Sequence, residues 1–556
     1  MDREKRGASR MAGRIPNGRE RLRGLSESMD RIRAEAEQGI AESQYLAALS
    51  ALSEETGPQD SDAALKWLSL ASEQGYAEAQ YLYALMLHGA DGIVRDQQAS
   101  LNWLGKAAGQ GLPQAQALLA IMYAEGREVP VEPAKALDYA RKAAATGDPE
   151  GQCVLGSLYL KGVGAPQNYK EALRLYKASA SQGFTDAAYK IGIMYNAGLG
   201  VPADMREAAR WFRRAGEGGA VKAQFNLGYM YEHGAGVPLN PKEAAEWYRR
   251  AAAQGLPQAQ LHLAGLMLAG RGIRKNKPEA LRLMRSAAEA GLADAQHVLG
   301  MLMRVGADVK QDKAEAAQWF LKAAEQGLPP SQYELARMYD AGDGVEQSDA
   351  QADYWLREAA DAGLPEAQYQ LGNMYIVGTR VEASEAEAVR WYRLAAEQGY
   401  PEAQYDLAVV YSTGSLELRN EAEAAKWYRE AARQGLADAQ RVLGMLYDQG
   451  KGVSADPAAA RSWYQKAALQ GDPIAQHNLA GMMAHGEGGR QDCSGARKWY
   501  RKAAQAGLPE AQAALGDLCL QDRSNDEARK WYEMAAAQGH SRSQLMLLQL
   551  GGANMY

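Results

Sequence analysis

The sequence predicts an all-α solenoid of about fourteen 36-residue helix-turn-helix repeats, and three residue columns carry that reading. A glycine recurs every 36 residues, from Gly39, Gly75 and Gly111 through Gly471 and Gly507 without insertion or deletion, and a last one, Gly539, arrives four residues early. All eleven tryptophans, from Trp67 and Trp103 to Trp499 and Trp531, stand eight residues before one of these glycines. The position nine residues after each glycine is Ala or Gly in all fourteen full-period repeats, from Ala48 and Ala84 through Gly228 to Gly516. A fixed period of this size marks units that own no core and bury their apolar faces against their neighbours.

Taken in chain order, the first element is a basic stretch, residues 1–26. Its first 24 residues hold eight Lys or Arg against three acids. Interspersed with Gly and Ser, they read as a disordered segment. A solvated chain end outweighs contact with an anionic partner as the reading of this tail. The repeats fill residues 27–550, and 551–556 form a C-terminal tail. Residues 220–255 serve to justify one repeat. Ala223, Leu227, Gly228, Met230 and Tyr231 recur at three- and four-residue steps and share one helix face. Ala244, Trp247, Tyr248, Ala251 and Ala252 make a second such stripe. Gly255 sits where a helix stop takes positive φ, Pro257 suits the first turn of the next helix, and Gly234 and Gly236 make the turn between the two helices. The small column marks a close helix approach. The indole rings are expected to fill the space between successive helix pairs. Leu548 breaks the small column, as suits a terminal unit with no successor.

Composition narrows the function classes. The net charge is −6, and setting aside the tail's +5 leaves −11 on the repeats. A body of that sign argues against binding a phosphate backbone, so no nucleic-acid partner is expected. No apolar run reaches the ~18 residues that span a bilayer, and no apolar segment follows the basic residues as in a secretory signal. Cys153, Cys493 and Cys519 occupy three different phases of the repeat, which excludes a disulfide ladder and fits a reducing, cytoplasmic setting.

Catalytic chemistry finds no support in the residue pattern. His297 and His477 take a column that elsewhere holds Tyr and read as surface variants. His233 and His485 share a column seven repeats apart, too far to share a metal. The Gly-x-Gly pairs lack the preceding strand and the Gly-Lys-Ser/Thr ending of a phosphate loop and read as turns. Tryptophans in phase with a helix stripe read as core and not as base-stacking platforms. Charges beside them, such as Glu243 and Arg250 near Trp247 or the cations around Trp499, read as solvated decoration. A non-enzyme without metal or cofactor is expected.

The string A-x-x-Q-G-L-P-x-A-Q-x-x-L-G-x-M-Y-x-x-G-x-G-V followed by E-A-x-x-W-Y-x-x-A-A is nearly complete around residues 183–255 and 399–471. It resembles the Sel-1-like repeat family, relatives of the tetratricopeptide solenoids. The resemblance implies a right-handed α/α superhelix and the role of a scaffold or adaptor, here read as bacterial, holding a protein or peptide along its concave groove. Positions six, seven, ten and thirteen after each repeat glycine would then face the groove. The partner-groove candidates are Tyr333, Glu334, Arg337, Asp340, Tyr369, Gln370, Asn373, Tyr405 and Asp406, with an apolar end supplied by Leu49, Leu85 and Ile121. Tyr and Arg are the anchors most enriched at binding hot spots. The plainer alternative makes these residues merely exposed. A cysteine-rich branch of the family resembles β-lactam-binding enzymes, but its two cysteines per repeat are missing here. A helical-repeat RNA reader is the other alternative, and the acidic body opposes it.

Overall fold

The structure, a computed structural model, describes residues 29–52, 60–89, 95–306 and 309–552. The basic segment 1–26 and the last residues of the C-terminal tail, 553–556, lie outside the described residues. Among the described residues there are thirty α-helices and no strand. The chain divides into two compact units, Met1–Ala287 and Ala288–Tyr556. Within each unit, the two helices of a repeat pack as an antiparallel pair, and the second helix of each pair packs on the first helix of the next.

The repeat Val221–Ala253 illustrates the local physics. The first helix, Val221–His233, ends on Gly234 at φ 70°, and the second, Pro241–Ala253, is followed by Gly255 at φ 82°. Both are left-handed stops that glycine adopts without strain. Many second helices open on a side-chain cap: Asn240 Oδ1 accepts from the backbone N–H groups of Lys242 and Glu243. Asp204, Asp312, Ser384 and Asp456 cap their own helices in the same way. Such a cap satisfies donors the helix cannot, at about 1 kcal/mol. First helices have no such cap in several repeats and begin instead with Pro257, Pro329, Pro365 or Pro401, whose missing N–H removes one orphan donor.

The core is built of two aromatic layers, of which the sequence revealed one. Tryptophan does meet the preceding repeat. Trp247 lies against Gly216, and Trp463 packs on the cluster containing Ala431 and Ala432. Yet only Trp247, Trp319, Trp355, Trp391 and Trp427 are buried, and the other six are half-buried. In several repeats, buried or half-buried, a cation three residues on covers the indole: Lys106 lies 3.8 Å from the Trp103 ring centre, Lys466 3.7 Å from Trp463, Lys502 4.3 Å from Trp499 and Arg250 4.5 Å from Trp247. These cations cover indole faces, so they are more than solvated decoration.

The deeper layer is the column that follows the tryptophan column, seven residues before each repeat glycine. Tyr176, Phe212, Tyr248, Phe320, Tyr464 and Tyr532 are among the largest fully buried side chains. Each of these rings meets the small column of its own repeat: a Cβ built on Gly228 would lie 2.7 Å from Tyr248, and one on Gly192 2.6 Å from Phe212. Size is matched across this contact. Where the second helix offers Leu68, Leu104, Ala140, Met284 or Leu356, the first offers Ala48, Ala84, Ala120, Ala264 or Ala336. Where it offers a ring, the first helix offers glycine, with the exceptions of Ala408 facing Tyr428 and Ala480 facing Tyr500. Those two rings are the most exposed of the layer, at 4% and 9%, as expected if a methyl pushes the ring outward.

A glutamine ladder joins successive repeats. In the first unit, Gln224 Nε2 donates to the Gly216 carbonyl at 2.9 Å while Gln254 Nε2 donates to Gln224 Oε1 at 2.9 Å. In the second, Gln440 donates to the Ala432 carbonyl at 3.1 Å and accepts from Gln470 at 2.8 Å. Gln224 and Gln440 are buried, so their satisfied bonds specify the register between neighbours, while Gln254 and Gln470 reach in from the exposed end of the second helix.

The second glycine of each turn has its own steric reason. Gly236 has φ 71°, and a Cβ there would lie 2.3 Å from the Met205 carbonyl oxygen, at the start of the preceding second helix. Gly452 meets the Glu421 carbonyl in the same way. The turn is thus seated on a neighbouring backbone, which leaves no room for a side chain.

Candidate functional site

The candidate residues lie on three successive first helices of the second unit: Pro329–Ala341, Pro365–Val377 and Pro401–Thr413. Their buried stripes (Leu335, Ala336 and Met338 on the first of them) fix the helices on their partners and turn the remaining positions outward. Arg337, Asp340 and Gln370 are exposed, whereas Tyr333, Glu334, Tyr369, Asn373, Tyr405 and Asp406 are half-buried.

Tyr333, Arg337, Asp340 and Gln370 come together. With Arg304 and Asp343 they line an open cleft of about 290 Å³, and a smaller hollow of about 70 Å³ beneath it reaches Met374 and Arg380. Glu334 is held by Arg304 and lies 3.6 Å from the Arg337 guanidinium, which in turn sits 5.9 Å from the Tyr333 ring centre. Burial raises the Tyr333 phenol above its ordinary value, so the ring is a neutral donor and a flat apolar wall at physiological pH.

The other candidates form a second group. Tyr369 stacks obliquely between Tyr392 and Tyr400, at 5.8 and 5.3 Å between ring centres, and its hydroxyl donates to Asp406 Oδ2 at 2.8 Å. Burial, aided by that carboxylate, pushes the Tyr369 phenol up to about 12. Asp406 is raised too, by burial, against the opposing effect of the tyrosine bond. Asn373 accepts from the Tyr392 hydroxyl at 2.6 Å, and Tyr405 meets Tyr428 edge-on at 5.5 Å. Asn373 and Tyr405 therefore also serve the packing beneath the surface.

The expected apolar end is corrected. Leu49 and Leu85 are 3% and 7% exposed and belong to the interior, because position ten sinks into the core where the early repeats place leucine there. The histidines at the tyrosine column are corrected as well. His297 meets Phe320 at a tilt and bonds Ser331, and His477 meets Tyr500 edge-on, both half-buried in the tyrosine's place. His233 and His485 each bond a carbonyl of their own helix, at Tyr229 and Gly481.

Arg380 is the residue that the sequence reading missed. It replaces the second turn glycine yet keeps φ at 61°, a backbone position that non-glycine residues seldom hold. Its guanidinium lies 2.5 Å from Asp340, 3.4 Å from Asp349 and 2.9 Å from Asp353. Burial pulls its pKa down, but the three carboxylates outweigh that and raise it. Where other turns rest backbone on backbone, this one fastens by charge and fixes Asp340 at the rim of the cleft. Glu128 departs from the glycine pattern in the first unit in the same way, at φ 62° and paired with Arg95. The legible signal was the broken Gly-x-Gly pattern at both places.

The Sel1 repeat model matches fourteen consecutive segments, from residues 41–76 to 509–540. The chain belongs to the Sel1 repeat family. Proteins of this family are generally protein-interaction scaffolds and typically non-catalytic. The crystal structure of c5321, a protective antigen present in uropathogenic Escherichia coli strains and displaying an SLR fold, aligns at 30% identity and a TM-score of 0.56, covering 86% of this chain and 97% of that one. A Sel1 repeat protein from Oxalobacter formigenes aligns at 35% identity and a TM-score of 0.44, over 60% of this chain and 93% of its own. Immunity protein PA5088 from Pseudomonas aeruginosa aligns at 27% identity and a TM-score of 0.27, over 41% and 82%. No curated protein matches this chain. Among the described residues, no helix of this Sel1 repeat protein is long and apolar enough to cross a membrane.

Proposed function

We propose that this Sel1 repeat protein is a non-catalytic scaffold that holds a protein or peptide segment against the first helices of repeats 329–413. The observation that carries the reading is the cleft lined by Tyr333, Arg337, Asp340 and Gln370, four outward residues from two successive repeats. Its walls are set before any partner arrives, because Glu334 and Arg380 fasten the charged side chains, and side chains already ordered lose less entropy on binding. A Tyr and an Arg at its centre offer an apolar face with donors beside it, the chemistry of an interaction anchor. The Tyr369–Asp406 pair extends the same surface onto the next repeats. The test is crosslinked partner capture from the native cell with the intact chain and with Tyr333, Arg337 and Tyr369 changed to alanine. Loss of specific partners with helicity retained is the expected result, and the pair Tyr333→Ala and Arg337→Ala, which leaves the Tyr369 ring in place, should show it with melting little changed. An identical partner list would remove this surface from the account.

A further inference from the structure

The first unit carries a cleft of its own, built on a second helix, and its chemistry is opposite in sign to the net charge of the chain. Helix Met205–Glu217 presents Arg206, Arg210 and Arg213 at steps of four and three, so the three lie along one face. The turn Gly234–Pro238 rises opposite them, brought there by the seating of Gly236 on Met205. Between the two lies an open cleft of about 650 Å³, lined by the three arginines, Ala209 and the turn. Arg213 is held in place by the buried Tyr231, whose hydroxyl it bonds and whose ring it overlies at 5.8 Å. Arg210 pairs with Glu207, and the Arg206 guanidinium has no partner among the described contacts. The helix N-terminus is not part of the site, because Asp204 Oδ1 already accepts from the backbone N–H groups of Arg206 and Glu207 at 2.8 and 3.1 Å.

The surroundings extend this charge. Three neighbouring second helices, Tyr169–Ser181, Met205–Glu217 and Pro241–Ala253, hold ten Lys or Arg against five Glu, in a chain whose net charge is −6. We infer that this cleft binds an acidic peptide segment of a partner, one carboxylate entering between Arg206 and Arg213 while others meet the flanking cations. Charge complementarity is the reason for the sign, and guanidinium groups match carboxylates by paired hydrogen bonds. The choice of a peptide over a nucleic acid follows from Glu171, Glu207 and Glu246, which stand among the cations. An unbroken row of phosphates would meet these carboxylates, whereas a peptide places its acids only where the arginines are.

The test is fluorescence anisotropy of the full chain with a labelled twelve-residue Glu- and Asp-rich peptide at low salt. The variants are R206E/R210E and, as a control on a basic helix of the second unit, R497E/K498E. The expected result is binding that weakens at least ten-fold in R206E/R210E, stays within two-fold in R497E/K498E and falls steeply with salt. R206Q/R210Q, which removes charge without reversing it, should show an intermediate loss and stands in if the reversed variant melts early. Equal binding by all variants would overturn the proposal. So would a single-stranded oligonucleotide of equal charge binding more tightly through the same arginines, or sedimentation showing that the arginines hold a second copy of the chain.

Discussion

Gly228 faces Tyr248 at a distance that permits a quantitative forecast for G228A. In a helix interior, alanine ordinarily improves on glycine by about 0.8–1.0 kcal/mol. Here the added methyl would lie 2.7 Å from two ring carbons of a fully buried tyrosine, so the ring or helix must shift by about 1 Å to restore ordinary contact near 3.5–4.0 Å. Overpacking of that kind costs about 1–3 kcal/mol, and the net expectation is a loss of up to about 2 kcal/mol. The decisive measurement is the double-mutant cycle with Y248L, because G228A/Y248L recreates the Ala84 and Leu104 pairing found elsewhere in the chain. The double variant should be more stable than the sum of the singles by at least about 1 kcal/mol. A long repeat array need not unfold in one step, so the assay is native-state hydrogen exchange read on peptides covering 221–253. If G228A instead raises protection by its propensity gain, or if the cycle is additive, size matching across this contact is not what stabilises the repeat.

Two further outcomes follow from the same packing. Gln440→Ala removes a buried amide bond to the Ala432 carbonyl, which still accepts from the Gly435 backbone, so the loss should be about 1 kcal/mol, and exchange should rise chiefly where residues 421–472 pack together; an effect confined to residue 440 itself would deny the ladder its role. His477 is half-buried on Tyr500, and burial lowers its pKa below 6.5 despite the opposing influence of Glu510. The unfolded chain therefore takes up the proton first, and stability falls as pH drops below about 6.5. H477Y, which restores the residue usual in that column, should lose less melting temperature between pH 7.5 and pH 5 than the parent does, and equal losses would show that this histidine is not titrating against the fold.

The repeat was legible because helix stripes, stop glycines and prolines are one-dimensional signals, each set by neighbours within four residues or by a strict period. What escaped depended on which of two adjacent aromatic residues points inward. Trp247 and Tyr248 both belong to the apolar stripe, and only the packed geometry shows that the tyrosine takes the deeper place. The same limit explains Leu49 and Leu85, assigned to a surface by position alone although their apolar character takes them into the interior. The cluster of Tyr333, Arg337, Asp340 and Gln370 could be read from period and helix face together. For Arg380 the broken Gly-x-Gly pattern marks the place but not the role, which depends on a positive φ and on three aspartates that sequence spacing does not bring together.

The turn that rests Gly236 on Met205 and the amide pair Gln224–Gln254 share a property: the residues they join are about thirty positions apart, and the Arg380 clasp spans only forty. Every such link closes a short loop, so the entropy of bringing distant chain segments together is small at each joint. Assembly can then begin at any well-formed pair of neighbours and spread in both directions, with low contact order throughout. It also means that a whole 36-residue segment can be gained or lost between two matching glycines without altering the chemistry of the joints on either side.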